Sequence, residues 1–285
     1  MSKSPARRIV IFGATGRVGR LLARTFHKAG YDIVTVGRRG SVLEQMPGEP
    51  QVLDLSASGA GPDFIRPGDI VINVVHARFT KKIAELCPSD ISRYVVIGST
   101  RYLTRFPDKK AAEVIAAAKF LGTSNLPWVM LHPTMIYGAQ GENNVQRMAA
   151  LIRRFHLVPL PNGGRALIQP VHVSDVVSCI VSAATRPGIE GKTIHLGGPQ
   201  AVPYADFLRA IAQANETWVR VVSMPPVLLR LVAGLTALVP GIPTISGAEV
   251  QRLLEDKDVD ISAMKQLLDV TPRSLEQGLS ETFRT

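Results

Sequence analysis

Ile9-Val10-Ile11-Phe12-Gly13-Ala14-Thr15-Gly16-Arg17-Val18-Gly19 reads as a strand, a tight turn and the start of a helix. Four consecutive apolar residues before Gly13 suit a strand buried on both faces of a parallel sheet. From Arg17 to Ala29 the apolar positions recur at helical spacing. Between the two, Gly13 turns the chain, Gly16 lets backbone approach a pyrophosphate, and Gly19 permits close packing of helix on strand. The helix amino terminus adds free N–H groups and a partial positive charge. Glycines at this spacing also serve ordinary turns. Their place directly after a buried strand selects a dinucleotide cradle.

The chain has 285 residues, which fits one large α/β core with a smaller appended lobe. Hydrophobic residues make up 46% and charged residues 20%, ordinary values for a globular protein. The net charge of +10 points to an anionic partner. Basic residues are dispersed in ones and twos and aromatics are only 6%, so a small anionic ligand is expected rather than nucleic acid. Two cysteines, Cys87 and Cys179, cannot build a disulfide framework and suggest a reducing compartment. Residues 1–8 are short and basic and lead into only four apolar positions, with no signal-peptide pattern; a cytoplasmic location is expected.

Further along, short apolar runs at 32–36, 51–55, 69–75, 93–98, 126–131 and 192–196 alternate with helical patterns at 80–87, 111–121 and 143–155. Pro107 suits the first turn of the helix at 111–121, and Asp108 complements its dipole. A helix begins near 174, with Ser174 or Asp175 as cap. This alternation predicts a Rossmann-type, doubly wound parallel sheet over residues 1–199, followed by a smaller, mainly helical lobe over 200–285; residues 136–164 contribute partly to the substrate side. Ligands of such sheets lie outside the carboxyl ends of the strands, so Asn73, His76, Ser99 and Thr100 are expected to face one crevice. At the end of the second strand, Gly37-Arg38-Arg39-Gly40 offers two arginines where NAD-binding units carry an acidic residue for the ribose 2′-hydroxyl. With Arg17 they suit a 2′-phosphate, hence NADP rather than NAD; as solvated turn charges they would mean nothing. Asp54, at the end of the third strand, is placed to meet the adenine amino group.

The apolar stretch 227–239, between Pro226 and Pro240, has 13 residues and contains Arg230. Spanning a bilayer takes roughly 20. It therefore reads as core packing, with an apolar lid or a peripheral membrane contact as the alternatives.

Four motifs together carry a family resemblance. These are Gly13-Ala14-Thr15-Gly16-Arg17-Val18-Gly19, Pro133-Thr134-Met135-Ile136-Tyr137-Gly138, Gln169-Pro170-Val171-His172-Val173-Ser174-Asp175-Val176, and Thr271-Pro272-Arg273-Ser274-Leu275-Glu276-Gln277-Gly278-Leu279. In this order, and across nearly the whole chain, they resemble the extended and atypical short-chain dehydrogenase/reductases. That is the NAD(P)-dependent epimerase/dehydratase group, with the NmrA-like and complex I accessory-subunit-like branches beside it. The resemblance implies that the Pro133 to Ile136 segment backs the nicotinamide and that residues after 200 line a substrate pocket. The cofactor residues then expected are Gly13, Thr15, Gly16, Arg17, Val18, Gly19, Arg38, Arg39, Asp54, Leu55, Asn73, Val74, Ser99, Pro133 and Ile136.

The family's chemistry uses a Tyr-x-x-x-Lys pair on one helix face, with a Ser or Thr from the fifth strand. The lysine cation favours the phenolate, and the tyrosine exchanges a proton while hydride moves. Here Lys109, Lys110 and Glu113 occupy the lysine helix, but Arg105 and Phe106 stand four residues before the lysines. Arginine is always protonated and phenylalanine has no exchangeable proton. Thr100 and Tyr102 are the expected stand-ins for the proton, with Lys109 or Lys110 orienting the nicotinamide ribose. His76, His132 and Tyr137 are further candidates; His172 and His195 read as sheet or helix-edge histidines, and no metal-ligand spacing is visible. The expected function is that of an NADP(H)-binding reductase of an apolar carbonyl or conjugated small molecule, monomeric or homodimeric. The alternatives are a non-catalytic NADP(H)-sensing or assembly protein, and a nucleotide-sugar epimerase or dehydratase.

Overall fold

In a computed structural model that describes residues 8–57, 63–138, 144–229 and 251–284, the apolar run at the amino terminus forms β1 (Arg8–Phe12), and the glycine turn leads into α1 (Arg17–Lys28). There follow β2 (Asp32–Gly37), the short α2 (Gly40–Leu43), β3 (Glu49–Val52), β4 (Ile70–Asn73), α3 (Thr80–Glu85) and β5 (Arg93–Ile97). After a 3-10 turn at Thr100–Leu103 come α4 (Lys109–Gly122), β6 (Trp128–Pro133), β7 (Ile136–Tyr137), α5 (Asn144–Phe155) and β8 (Leu157–Pro161). The chain continues through β9 (Leu167–Ile168), β10 (Val171–His172), α6 (Val173–Thr185), β11 (Lys192–Leu196), β12 (Val202–Pro203), α7 (Tyr204–Ala214) and β13 (Arg220–Met224). Two further helices, α8 (Ser262–Leu268) and α9 (Leu275–Phe283), close it.

Seven strands make one sheet in the order β3-β2-β1-β4-β5-β6-β11, and every neighbouring pair is parallel. The strand order reverses between β1 and β4, which is where ligands lodge in doubly wound sheets. Side chains alternate across the sheet. On one face Ile9, Ile11, Ile72 and Leu131 pack with Leu22 and Phe26 of α1, Ile180 of α6, and Met264 of α8. On the other, Val10, Phe12, Val71 and Val96 pack with Ile83 of α3 and Val114 and Leu121 of α4. Each such burial contributes about 1.5–3 kcal/mol, so the two-faced apolar pattern of β1 drives its central position.

A third core gathers Tyr137, Ile152, Leu160, Phe207, Ile211 and Leu279. It is bordered by the parallel pairs β7–β10 and β8–β13 and the antiparallel pair β9–β12. Residues from both sides of position 199 enter both kinds of core: Met264 and Leu268 join the sheet, while Tyr137 and Ile152 join the third core.

Several expected boundaries shift. The third strand forms at 49–52 rather than 51–55; Asp54 Oδ1 accepts the Ser56 N–H at 2.8 Å and bends the chain away. Pro107 lies ahead of the α4 cap rather than inside its first turn, and Asp108 is the cap, accepting from Ala111 N at 2.9 Å. The cap of α6 is His172, whose Nδ1 accepts the Ser174 N–H at 3.3 Å, not Ser174 or Asp175. Asp175 instead takes Arg273, with Nε and Nη2 each 3.0 Å from Oδ1. That ion pair fastens the 271–279 motif to α6, and Gly278 completes the fit, since a Cβ there would stand 2.1 Å from the Tyr137 hydroxyl. Of the apolar stretch 227–239, only 227–229 are described: Leu229 is buried while Val227 and Leu228 are exposed, and 230–239 lie outside the described residues.

Candidate functional site

Gly13 sits at φ +87°, a region that favours glycine, and a Cβ there would lie 2.7 Å from Val75 Cγ1. Its N–H and that of Ala14 donate to Val36 O at 3.0 and 3.1 Å, tying the turn to β2. A Cβ on Gly19 would fall 2.2 Å from Gly13 O, so α1 rests directly on the turn. Gly16 differs: its Cβ would meet only Gly13 O, at 3.1 Å, and the rest of its surroundings are open. No side chain caps α1 and no acidic residue enters its first turn. The first bond within the helix runs from Arg20 N to Gly16 O, leaving the N–H groups of Arg17, Val18 and Gly19 without intrahelical acceptors. A bare helix amino terminus beside an open glycine suits a pyrophosphate.

Around this turn, Thr15 packs over Gly37, whose missing side chain leaves room at the end of β2. Arg17, Arg38 and Arg39 are exposed, and none makes an ion pair among the described residues. Asp54 is exposed and Leu55 buried, and Lys82 Nζ donates to Leu55 O at 2.9 Å, fixing the loop. Val74 N donates to Phe12 O at 3.0 Å, and the backbone at 74–75 forms the floor under Gly13. Asn73 corrects an expectation. Its side chain does not open on the crevice; Oδ1 accepts from Val75 N at 3.1 Å and the amide lies 3.4 Å from Thr80 Oγ1 and from Tyr94 Oη. A fully buried amide needs such partners, so Asn73 shapes the strand end from within.

At the carboxyl ends of β5 and β6 a second cluster forms. Ser99 Oγ accepts the Arg101 N–H at 3.2 Å, and Thr100 Oγ1 lies 3.4 Å from Pro133 O. Tyr102 reaches across the sheet to place its hydroxyl 2.7 Å from His195 Nε2, with its ring 4.6 Å from that of His132. The β6–β11 register pairs His132 with His195 directly. Gly98 makes space for the His132 ring, since a Cβ there would lie 2.5 Å from Nδ1. Burial, helped by the proximity of His195, pushes His132 down to about 4; burial likewise lowers His195, against the pull of Asp260. Burial also raises the Tyr102 phenol. At neutral pH the three groups are therefore uncharged.

The loop bearing Thr100 and Tyr102 is clamped from outside. Arg101 Nε donates to Asp108 Oδ1 at 3.1 Å, Arg252 stands 3.6 Å from Asp108, and the Arg101 hydrogen bond leads in holding that carboxyl at about 2. Thr104 Oγ1 donates to Glu255 Oε2 at 2.7 Å, and the Arg105 N–H donates to the same carboxylate. Lys109 and Lys110 are the first residues of α4 and are exposed. Arg105 and Phe106 precede the helix, so even the i, i+4 geometry of the usual pair is missing. Glu113, one turn into α4, faces His76 Nδ1 at 3.3 Å. Pro133 is buried at the end of β6 and Ile136 is half-buried in β7. Tyr137 is buried against His172 at a centroid distance of 5.3 Å, in the packing that holds the 271–279 motif.

In the carboxyl-terminal lobe a cavity of about 710 Å³ is lined by Asn162, Gly163, Arg165, Ser223, Leu254 and Asp256 among others. Among the described residues, no group of three His, Cys, Asp or Glu is arranged to hold a metal ion, and no helix is long and apolar enough to cross a membrane. His195 was the functional candidate that sequence reasoning placed among edge histidines. Its pairing with Tyr102 depends on the β6–β11 register, and only the alternation of side chains along both strands hinted at it.

No protein-family model matches the chain. It is 24% identical over 93% of its length to the mitochondrial NADH dehydrogenase [ubiquinone] 1 alpha subcomplex subunit 9 of Arabidopsis thaliana, covering 74% of that protein. Among solved structures, a new type of NADPH-dependent quinone oxidoreductase from Escherichia coli superposes with a TM-score of 0.74 at 16% identity, over 97% of this chain and 100% of the other. MoeE5 in complex with UDP-glucuronic acid and NAD gives a TM-score of 0.68 at 16% identity, over 96% and 97% of the two chains. The chain thus shares with these proteins the fold of a Rossmann-type parallel sheet, and it resembles the extended and atypical short-chain dehydrogenase/reductases over most of its length.

Proposed function

We propose that this chain binds a nicotinamide dinucleotide, NADP(H) in preference to NAD(H), and acts as an atypical oxidoreductase on an apolar carbonyl or conjugated small molecule. The observation that carries the binding is the open cradle at the switch point: Gly16 without neighbours on its outer side, above the uncapped start of α1. Arg17, Arg38 and Arg39, without an ion pair among the described residues, suit a 2′-phosphate. When bound, the nicotinamide supplies or accepts the hydride. Thr100 and Tyr102 are assigned to the substrate oxygen, and Lys109 or Lys110 to the ribose. The likeness to an NADPH-dependent quinone oxidoreductase favours this substrate class. Calorimetric titration with NADPH and NADH, followed by NADPH oxidation across quinones, enones and sugar nucleotides, tests it. Tight NADPH binding with no turnover of any acceptor would remove the enzyme reading.

A second reading has its own observation. Arg105 and Phe106 stand at the tyrosine positions and outside the helix, and the Arabidopsis relative is named as a subunit of a larger NADH dehydrogenase. A protein partner retained or released according to bound NADP(H) would favour this non-catalytic role. A nucleotide-sugar epimerase or dehydratase is the weaker alternative, because that chemistry relies on the absent tyrosine.

A further inference from the structure

Tyr102 and His195 are 93 residues apart in sequence, one in the turn after β5 and one in the edge strand β11, yet their side chains meet at 2.7 Å. Strand alternation explains how. Met130 packs on the α4 face of the sheet, so His132, two residues on, stands on that face too. The register sets His195 beside His132, and Tyr102 covers both rings, at 4.6 and 6.0 Å between centroids. The titratable and charged groups facing His195 are Tyr102 from the turn, His132 from β6, and Asp260 from the segment before α8. A neutral imidazole has one nitrogen that accepts and one that donates. A dyad of the two requires the tautomer in which the Tyr102 hydroxyl donates to Nε2 and His195 carries its proton on Nδ1.

We infer that Tyr102 and His195 form a proton-transfer dyad that takes the place of the missing tyrosine–lysine pair, resting on the oxidoreductase reading above. Tyr102 touches the substrate oxygen; His195 acts through it, as a positioning and proton-relay residue. In alcohol oxidation the substrate O–H bond breaks and its proton passes to the Tyr102 oxygen. The phenol proton moves at the same time to His195 Nε2. The substrate C–H bond breaks with its electron pair leaving as hydride to the nicotinamide, and the C=O bond forms. The resulting imidazolium gives its proton to solvent. Carbonyl reduction is the same sequence reversed, with the imidazolium as the proton source. His132, buried and neutral beneath the tyrosine ring, holds the phenol against the sheet without placing a second cation next to His195.

The first test uses the full chain without cofactor. Long-range proton–nitrogen NMR on the histidine rings is expected to show His195 with Nε2 unprotonated and titrating below its ordinary range. In Tyr102→Phe, which keeps the ring on His132, loss of the hydrogen bond to the neutral form is expected to raise the His195 midpoint. A His195 with protonated Nε2, or a midpoint unmoved by Tyr102→Phe, would overturn the dyad whatever the protein's activity. The second test takes an acceptor that the wild type turns over. His195→Gln is expected to lower kcat about 100-fold, the usual scale for a lost proton-transfer group, with NADPH affinity unchanged. It should also abolish the acid limb of the oxidation profile, and the double variant with Tyr102→Phe should lose little more. Wild-type kcat and pH profile in His195→Gln would overturn the proton relay but leave the oxidoreductase reading standing. Absence of turnover by the wild type removes both.

Discussion

Replacing Gly16 with alanine is expected to separate nucleotide binding from folding, and Gly19→Ala to do the reverse. Gly16 lies at φ −75° and ψ 170°, which alanine adopts without strain, and its new Cβ would meet a single atom, Gly13 O, at 3.1 Å. As the N-cap of α1 it gains no capping side chain, so the stability cost stays within about 1 kcal/mol, a melting shift of about 2–4 °C. The methyl group stands on the open side of the turn, however, where a pyrophosphate would have to make backbone contact. A loss of at least about 1.4 kcal/mol, tenfold in NADPH affinity, follows from displacing it. At Gly19 the added carbon falls 2.2 Å from Gly13 O and 2.7 Å from Ala14 Cα, both backbone. Overpacking of about 1–3 kcal/mol or more outweighs the about 1 kcal/mol that alanine gains inside a helix. The assay is urea unfolding of both variants beside calorimetric titration with NADPH. Unchanged affinity in Gly16→Ala would refute the cradle, and unchanged stability in Gly19→Ala would refute the packing of helix on turn.

Arg38→Ala with Arg39→Ala should weaken NADPH by about 10- to 100-fold, on the scale of charge-assisted bonds to a phosphate, and leave NADH within about threefold; equal losses in titration would dismiss the 2′-phosphate assignment. Asp175→Asn leaves Arg273, partly exposed and still paired with Glu281, facing a neutral amide, and losing the charge-assisted bonds costs about 1.5–3 kcal/mol, read as a lower urea midpoint with α9 exchanging its amide protons sooner. Acid should also destabilise the fold through His132. Its folded value of about 4 lies below the unfolded value of about 6.5, so the unfolded state binds the proton first. Stability is then fully present above pH ~6.5 and falls as pH drops toward ~4, by about 3 kcal/mol across that window. His172, lowered chiefly by burial, adds in the same direction. Urea unfolding at pH 7 and pH 4.5 measures the difference, and a smaller pH slope in His132→Gln assigns it.

Local chemistry made much of the architecture readable. An apolar run that must be buried, a glycine turn and a helical apolar pattern already specify strand, turn and helix, because each signal lies within ten residues of the next. The alternation of such units predicted the parallel sheet, which β3-β2-β1-β4-β5-β6-β11 realises. Edges were harder to read. Strand β3 starts two residues early because an edge strand tolerates Pro50 and Asp54 turns the chain after it. The cap of α6 went to His172, whose ring nitrogen can accept a backbone N–H just as a serine oxygen does.

By itself the sequence determined the amino-terminal half of the sheet: where its first strand ends in the glycine turn, which residues lie at that turn, and that Arg105 and Phe106 stand four residues before the lysines. Tertiary structure alone decided which groups could stand in for the absent tyrosine. Tyr102, His132 and His195 share no spacing, since they come from a turn and two strands, and only the β6–β11 register brings them onto one face. The same holds for Asp175 and Arg273, 98 residues apart and in contact. Hydrophobic and turn signals act over one or two helical turns and are written in local order. Hydrogen bonds and ion pairs between distant segments exist only once the sheet has set the distances.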